Sequence, residues 1–389
     1  MPSFHCQYLW LNNTLQSGLT IETSSNGIIT EIRSASAAEP LIPGLTIPGM
    51  VNTHCHLELS HLQGRIPKGG GMISFLQEIL RFKQEYPFSA LAQKKAMHAM
   101  LKNGIIAVGD ISNASNSFEL KKECNSLYTH TFIELLGLNP DFSEGIFQSG
   151  TDLLNLARDN YQLPASLTPH AFYSVSPILL EKIQNESNLM SIHLMESTTE
   201  RELFADRTGS FIDFFRQLGI LDYLPDYRYG FIEQVLTKLL SRSLAKKILW
   251  VHNTFLLPEQ ILILTENFLN SYFCLCPLSN LYINQALPPV NSFDWRRVTL
   301  GTDSLASNDT LSILAEIQCL KSHFPSLKLE WLLNAATING AKFLGVDHRA
   351  GELCVGKTPG IINIFPFDVA RDIFPPEAQT KVLMPAYIA

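Results

Sequence analysis

No basic stretch runs through this chain. Its 29 Lys and Arg are outnumbered by 36 Asp and Glu, for a formal net charge of −7 over 389 residues. The cation pairs Lys94-Lys95, Lys121-Lys122, Lys246-Lys247 and Arg296-Arg297 are short and scattered. Nothing therefore supplies the positive stripe that a nucleic-acid backbone requires. The ~18 consecutive apolar residues of a membrane-spanning helix are also missing, and the first residues lack the basic and apolar regions of a secretory signal. A cytoplasmic protein is expected. The seven cysteines (Cys6, Cys55, Cys124, Cys274, Cys276, Cys319 and Cys354) are odd in number, scattered and without zinc-ribbon spacing. That usage fits reduced thiols better than a disulfide framework. Cys274 and Cys276 share one strand face and read as small core residues.

What is present is an ordinary globular composition, 46% hydrophobic and 17% charged, long enough for a large domain with a smaller one beside it. Residues 1–45 alternate short apolar stretches with turns at Asn12-Asn13 and Ser24-Ser25-Asn26-Gly27, the pattern of antiparallel hairpins. Residues 350–389 have the same texture, and the two ends together are expected to form a small β-sandwich domain. Between them, 46–349 repeats strand then helix. The candidate strands are Thr46–Thr53, Ile105–Asp110, His130–Leu136, Leu167–Tyr173, Met190–Leu194, Ile248–Val251, Ser271–Cys276 and Val298–Gly301. Amphipathic stretches such as Ile73–Gln84, Leu91–Asn103, Phe211–Leu218 and Leu311–His323 lie between them. Eight such units predict an α/β protein built on a (β/α)8 TIM-like barrel, whose site lies where the strands end.

His54 and His56 follow the apolar run Leu45-Thr46-Ile47-Pro48-Gly49-Met50-Val51. Residues two apart in a strand point to one side, so both imidazoles converge while Cys55 turns away. With 11 His in 389 residues, chance alone gives roughly 0.3 such pairs. The pair gains weight from its partners: His193 after Ile192, His252 after Trp250-Val251, and Asp303 after Gly301-Thr302. Each alone reads as a rim residue or a helix cap. At the mouths of strands 1, 5, 6 and 8 of one barrel they read as a metal centre with room for water. Water bound there loses a proton near neutral pH and becomes a nucleophile. Glu196, three residues after His193, is placed to carry protons beside such a metal, or else to serve as an acid at a helix start.

These segments resemble the amidohydrolase superfamily. The resemblance runs through Pro48–Leu57, His193-Leu194-Met195-Glu196, Val251-His252-Asn253, Cys276–Asn280, Gly301–Asn308 and Asn334–Ala341. The branch it resembles holds deaminases and chlorohydrolases with one metal. Within it, His54–Ser60 and Pro169–Ser174 are similar to aminodeoxyfutalosine deaminases, which act in an alternative route to menaquinone. The resemblance implies that His54, His56, His193 and Asp303 bind one divalent ion, Zn²⁺ or Fe²⁺. It implies that His252 hydrogen-bonds the hydrolytic water, that Glu196 protonates a ring nitrogen, and that Asp303 passes a proton to departing ammonia. His170 and Ser307 would face the substrate. Binuclear members carry a lysine on strand 4, and Ala165–Ser176 has none. The substrate is then an aminated purine nucleoside such as 6-amino-6-deoxyfutalosine. Alternatives are another cyclic amide, imine or halogenated ring on the same centre, or a catalytically silent binding barrel. The expected partner is a small-molecule substrate, without nucleic acid or membrane, and a homodimer stays open. The Gly69-Gly70-Gly71 run lacks the Lys-Ser/Thr of a phosphate loop and reads as a flexible stretch of the first βα loop, placed to help cover the site, with a lid role left open.

Overall fold

The computed structural model describes residues 2–86, 88–226 and 246–386. At the N-terminus, β1 (Ser3–Leu11) and β2 (Thr14–Thr23) form a hairpin in which Leu11 pairs with Thr14 and Ser3 with Glu22. Its two turn residues, Asn12 and Asn13, both take positive φ (52° and 59°). Asparagine tolerates that region best after glycine, and such turns match the twist of the strands they join. β3 (Ile29–Ser34) continues the meander, while β4 (Leu41–Pro48) returns parallel to β1. From the other end of the chain, β13 (Ile361–Phe365) adds antiparallel to β4, and β14 (Gln379–Met384) lies outside it. The order β14-β13-β4-β1-β2-β3 thus makes one six-stranded sheet from both ends. Cys6, Leu9, Ile21, Ile29, Ile361 and Met384 pack together against it.

The stretch Thr46–Thr53, expected as one barrel strand, is divided at Gly49. β4 ends at Pro48 in the mixed sheet, and β5 (Met50–Cys55) opens the barrel. The Gly49 amide leaves both sheets to meet Pro359 O at 3.1 Å, and a Cβ there would collide with Ile106. No other residue fits this crossing point. The expected fourth barrel strand also stops early, at Pro169, and Phe172–Ser174 form a 3-10 turn.

Strands β5, β6 (Ile105–Ser112), β7 (Tyr128–Leu135) and β8 (Ala165–Pro169) pair in parallel. So do β9 (Leu189–Leu194), β10 (Lys247–His252), β11 (Tyr272–Leu275) and β12 (Val298–Leu300). Parallel bridges Ala171–His193 and Cys55–Asp303 join the two sets, closing eight strands into a barrel. Val51, Ala107, Phe132, Leu249, Val251 and Cys274 belong to one buried apolar cluster. Cys274 and Cys276 are buried free thiols with sulfurs 3.8 Å apart. Among the described residues, no helix is long and apolar enough to cross a membrane.

β13 covers the edge of β4, so removing 350–389 exposes the backbone of β4 and the apolar face that Ile361 and Met384 complete. An uncovered edge of that kind recruits other chains. The truncated protein is expected to aggregate in a light-scattering assay. A soluble truncation with an unchanged melting temperature would contradict it.

Candidate active site

The strand period delivers the first two imidazoles. His54 and His56 flank the end of β5 and point the same way, with their Nε2 atoms 3.2 Å apart. Beyond them, the Leu57 amide donates to Asp110 Oδ1 at 2.8 Å, and Asp110 pairs with Lys121 at 2.6 Å. Both charges of that pair are buried, and together they fix the turn that aims His56.

On β9, His193 Nδ1 donates to His170 O at 2.9 Å, which leaves Nε2 as a free lone pair. His252 ends β10, with Nδ1 at 2.8 Å from Asn280 Oδ1 and Nε2 at 3.4 Å from Glu196 Oε1. Asp303 Oδ1 lies 3.6 Å from His54 Nε2 and 3.5 Å from His56 Nε2. Its other oxygen accepts hydrogen bonds from Ser279 (2.7 Å) and Ser307 (2.5 Å). The expectation that Ser307 faces substrate is thereby corrected: it is fully buried behind Asp303, with its hydroxyl committed to the carboxylate. Ser304, three residues earlier, lines the cavity instead.

The backbone at these strand ends is unusual. Met195, His252, Asn253 and Asp303 all have positive φ (47°, 70°, 57° and 55°). Non-glycine residues rarely adopt this region, and they persist there only when their surroundings hold them. The surroundings do so. The Asn253 amide reaches Leu194 O at 3.0 Å, its side chain donates to Trp250 O at 2.8 Å, and the Phe255 amide reaches Met195 O at 2.9 Å.

The donor set fits one divalent ion. His54, His193 and His252 form one group whose ligand atoms lie within 4.8 Å of one another, and His54, His56 and Asp303 form a second. Burial pushes His56 and His193 well below the ordinary imidazole value and His252 down to about 4, so their lone pairs are available at neutral pH. Burial alone would raise Asp303. The hydrogen bond with His54 and the fields of His56 and His252 outweigh it and hold the carboxyl well below its usual range. Several imidazoles with one carboxylate suit Zn²⁺ and Fe²⁺ chemistry. His252 lies as close to His54 and His193 as a ligand would, while also touching Glu196.

Glu196 is buried, and desolvation, with the charges of Asp303 and Glu200 added, pushes its carboxyl well above the ordinary value. The two carboxyls are thus pushed in opposite directions. The role of helix-start acid belongs to another residue. Helix Thr198–Asp206 is capped by Ser197, whose hydroxyl accepts the Glu200 amide, and Glu200 reaches back to the amides of Met195 (2.9 Å) and Glu196 (2.8 Å). Glu200 thus shapes the turn, and the Glu196 side chain is left facing the cavity.

That cavity has a volume of about 700 Å³. Its floor is polar, with His56, His170, His193, Glu196, His252 and Asp303. The His170 ring lies 4.6 Å from that of His193, its Nδ1 meets Ser174 Oγ at 2.9 Å, and burial lowers it to about 4. The walls are apolar. Met72, Phe75, Leu76 and Ile79 line it from helix Gly71–Glu85, and Phe214, Phe215 and Leu218 from helix Ser210–Gln217 and the residue after it. Within the glycine run, Gly69 donates to Tyr282 O at 2.7 Å, and Gly71 starts the helix that walls the site. The sequence pattern also left Glu58, Asn113 and Glu134 unmarked, and they line the cavity. A signal existed for each acid. Glu58 continues the two-residue period of His54 and His56, and Glu134 is a lone acid in the strand run Thr-Phe-Ile-Glu-Leu-Leu.

The profile of the amidohydrolase family matches residues 45–377. The chain belongs to the amidohydrolase family. It is accordingly a hydrolase of carbon–nitrogen bonds other than peptides. Its relatives include an adenosine deaminase of Helicobacter pylori, 27% identical over 342 residues covering 83% of this chain and 79% of that protein. An aminodeoxyfutalosine deaminase of Nitratiruptor sp. is 25% identical over 325 residues, covering 80% and 77%. Among solved structures, Helicobacter pylori aminofutalosine deaminase in complex with methylthio-coformycin superimposes with a TM-score of 0.78 at 22% identity, over 96% of this chain and 94% of that one. The barrel and its satellite sheet follow that architecture.

Two measurements test the centre. Metal-loaded, desalted protein should carry one divalent ion per chain by elemental analysis, and two tightly held ions would contradict the assignment. Lys121→Met strands the buried Asp110 charge beneath His56, a change that costs about 3–5 kcal/mol. Urea unfolding should show a loss of that order, and an unchanged midpoint would remove the pair from its supporting role.

Proposed function

We propose that this member of the family is a hydrolytic deaminase of a 6-aminopurine nucleoside with a modified 5′ end, 6-amino-6-deoxyfutalosine being one such substrate, and so serves menaquinone biosynthesis in the cytoplasm. The observation that carries the reading is the geometry of a buried, cavity-facing Glu196, 3.4 Å from His252 and with its carboxyl pushed up, beside an Asp303 carboxyl held down. Two carboxyl groups whose surroundings push them in opposite directions divide acid and base work between them. The names of the adenosine- and aminodeoxyfutalosine-deaminating relatives support the same substrate class.

His54, His56, His193 and Asp303 would hold the Zn²⁺ or Fe²⁺ ion, which when bound supplies the Lewis acidity that brings the pKa of water near neutrality. The remaining work falls to the chain. His252 orients the attacking water by hydrogen bonding. Glu196 gives its proton to the ring nitrogen as the adjacent carbon is attacked, and that nitrogen becomes the site where negative charge would otherwise build. Asp303 takes one proton from the water and returns it to the departing amino group, so that ammonia leaves neutral, and the remaining hydroxyl proton passes to Glu196 as the carbonyl forms. His170 contacts the ring from the end of strand β8. The apolar walls, from Met72 to Ile79 and from Phe214 to Leu218, accept a 5′ substituent by burying it from water.

A screen of ammonia release from adenosine, methylthioadenosine, S-adenosylhomocysteine and aminodeoxyfutalosine tests the substrate. Comparison of kcat/KM with free adenine tests the nucleoside requirement. Glu196→Gln should keep the metal and the fold and lower turnover by about 10²-fold or more, the scale of general acid catalysis. Near-normal turnover in that variant, or chloride rather than ammonia as the product from a panel of ring substrates, would overturn the deaminase reading.

A further inference from the structure

We propose that Glu58 and Glu134, joined through Asn113, form a hydroxyl-recognition pair that takes the 2′,3′-diol of the substrate's ribose; this rests on the nucleoside reading above. The two acids come from different elements. Glu58 lies in the turn Leu57–Leu62 that comes after His56, and Glu134 lies on β7. Asn113, just after β6, ties them together. Its amide donates to Glu58 Oε2 at 2.9 Å, and its side chain donates to both Glu134 Oε2 and Glu134 O at 3.1 Å. One oxygen of each carboxyl is thus consumed, and one of each remains.

The remaining oxygens are what make this a site. Glu134 Oε1 is buried and has no hydrogen-bond partner among the described residues. His193 Nδ1 lies 3.8 Å away, and that nitrogen is already committed to His170 O. Glu58 Oε1 has Lys83 Nζ at 3.9 Å, beyond hydrogen-bond length. Glu58 and Glu134 are only 8% and 6% exposed, and both line the cavity. A buried oxygen left without a partner is destabilising, and a ligand bearing hydroxyl groups removes that cost.

The position of the pair sets the chemistry of its ligand. The reacting end of the substrate belongs at Glu196 and His252, while Glu134 stands beside His170 and His193, with ligand atoms of the three within 4.8 Å. A planar ring whose reacting carbon lies at the first pair has its far side carried past the second. The group attached to that far side must then offer adjacent donors to two acceptors before the substrate enters the apolar walls. A ribose does this: its diol presents two hydroxyls on one edge, flanked by the flat base and the 5′ arm.

The test compares the best 6-aminopurine ribonucleoside of the screen with its 2′-deoxy, 3′-deoxy and 2′,3′-dideoxy counterparts in the metal-loaded protein. Burial lifts both carboxyls to about 7, and loss of both hydroxyls should lower kcat/KM by about 10- to 100-fold, the worth of two buried hydrogen bonds. In Glu134→Gln and Glu58→Gln the ribonucleoside should be impaired and the dideoxy compound little changed, so that the ratio collapses. Equal kcat/KM for ribo and dideoxy substrates in the unmodified protein overturns the diol proposal and leaves the deaminase reading standing. An undiminished ratio in both variants, with metal content and melting temperature retained, also overturns it. If no 6-aminopurine nucleoside releases ammonia at all, the nucleoside reading fails first, and the proposal with it.

Discussion

The seam between β5 and β12 is the constraint on which the site depends. The amides of Thr302 and Asp303 both donate to His54 O at 3.1 Å. Asn52 and Thr302 exchange a second pair of bonds, side chain to hydroxyl at 2.7 Å and amide to side chain at 3.1 Å. Closure of the barrel there brings the first strand against the last, and the Asp303 carboxylate arrives beside His54 and His56 because its own amide is anchored to the strand that carries them. The positive φ of Asp303 then turns its side chain inward rather than along the strand. Ser279 and Ser307 hold one carboxylate oxygen so that the other points at the imidazoles. The stability of the barrel and the geometry of the centre are, at this seam, the same hydrogen bonds.

The electrostatics follow from burial in a definite order. Imidazoles clustered in an apolar shell lose protons, which frees their lone pairs for an ion. The Asp303 carboxyl amid those imidazoles is held below its usual range, whereas desolvation and two other acids push Glu196 above it. Opposite behaviour in two carboxyls of one cavity needs no specialised residue type, only different neighbours. The strained backbone at Met195, His252 and Asn253 serves this arrangement, since it sets the imidazole and Glu196 facing each other across the cavity floor.

The strand-and-helix rhythm is legible in the sequence because apolar periodicity follows from burial, and the ligand candidates are legible because each ends an apolar run. Three features are hidden for physical reasons. The break at Gly49 falls inside a continuous apolar run, and only the close approach of Ile106 and Pro359 reveals that two sheets meet there. Ser307 shares a turn with Asp303, and sequence spacing does not tell whether a hydroxyl faces the cavity or the carboxylate. The Gly69–Gly71 run looks like a loop by composition, yet Gly69 is fixed by Tyr282 O and the helix begins two residues later.

The cavity's two textures have separate origins in the chain. Its polar floor comes from strand ends and the turns just after them, where the backbone is held by the barrel and positions are fixed. Its apolar walls come from helices placed after strands, Gly71–Glu85 and Ser210–Gln217, whose contact faces are set by helical period rather than by strand register. Chemistry of bond cleavage needs the first kind of precision. Accommodation of a substrate arm needs only apolar area of the right extent, which a helix can supply while tolerating exchanges among Met, Phe, Leu and Ile of similar volume. A barrel of this construction can therefore keep its donor set and its two opposed carboxyls unchanged while the helical walls, at Phe75, Leu76, Ile79 and Phe215, decide what shape of molecule is admitted.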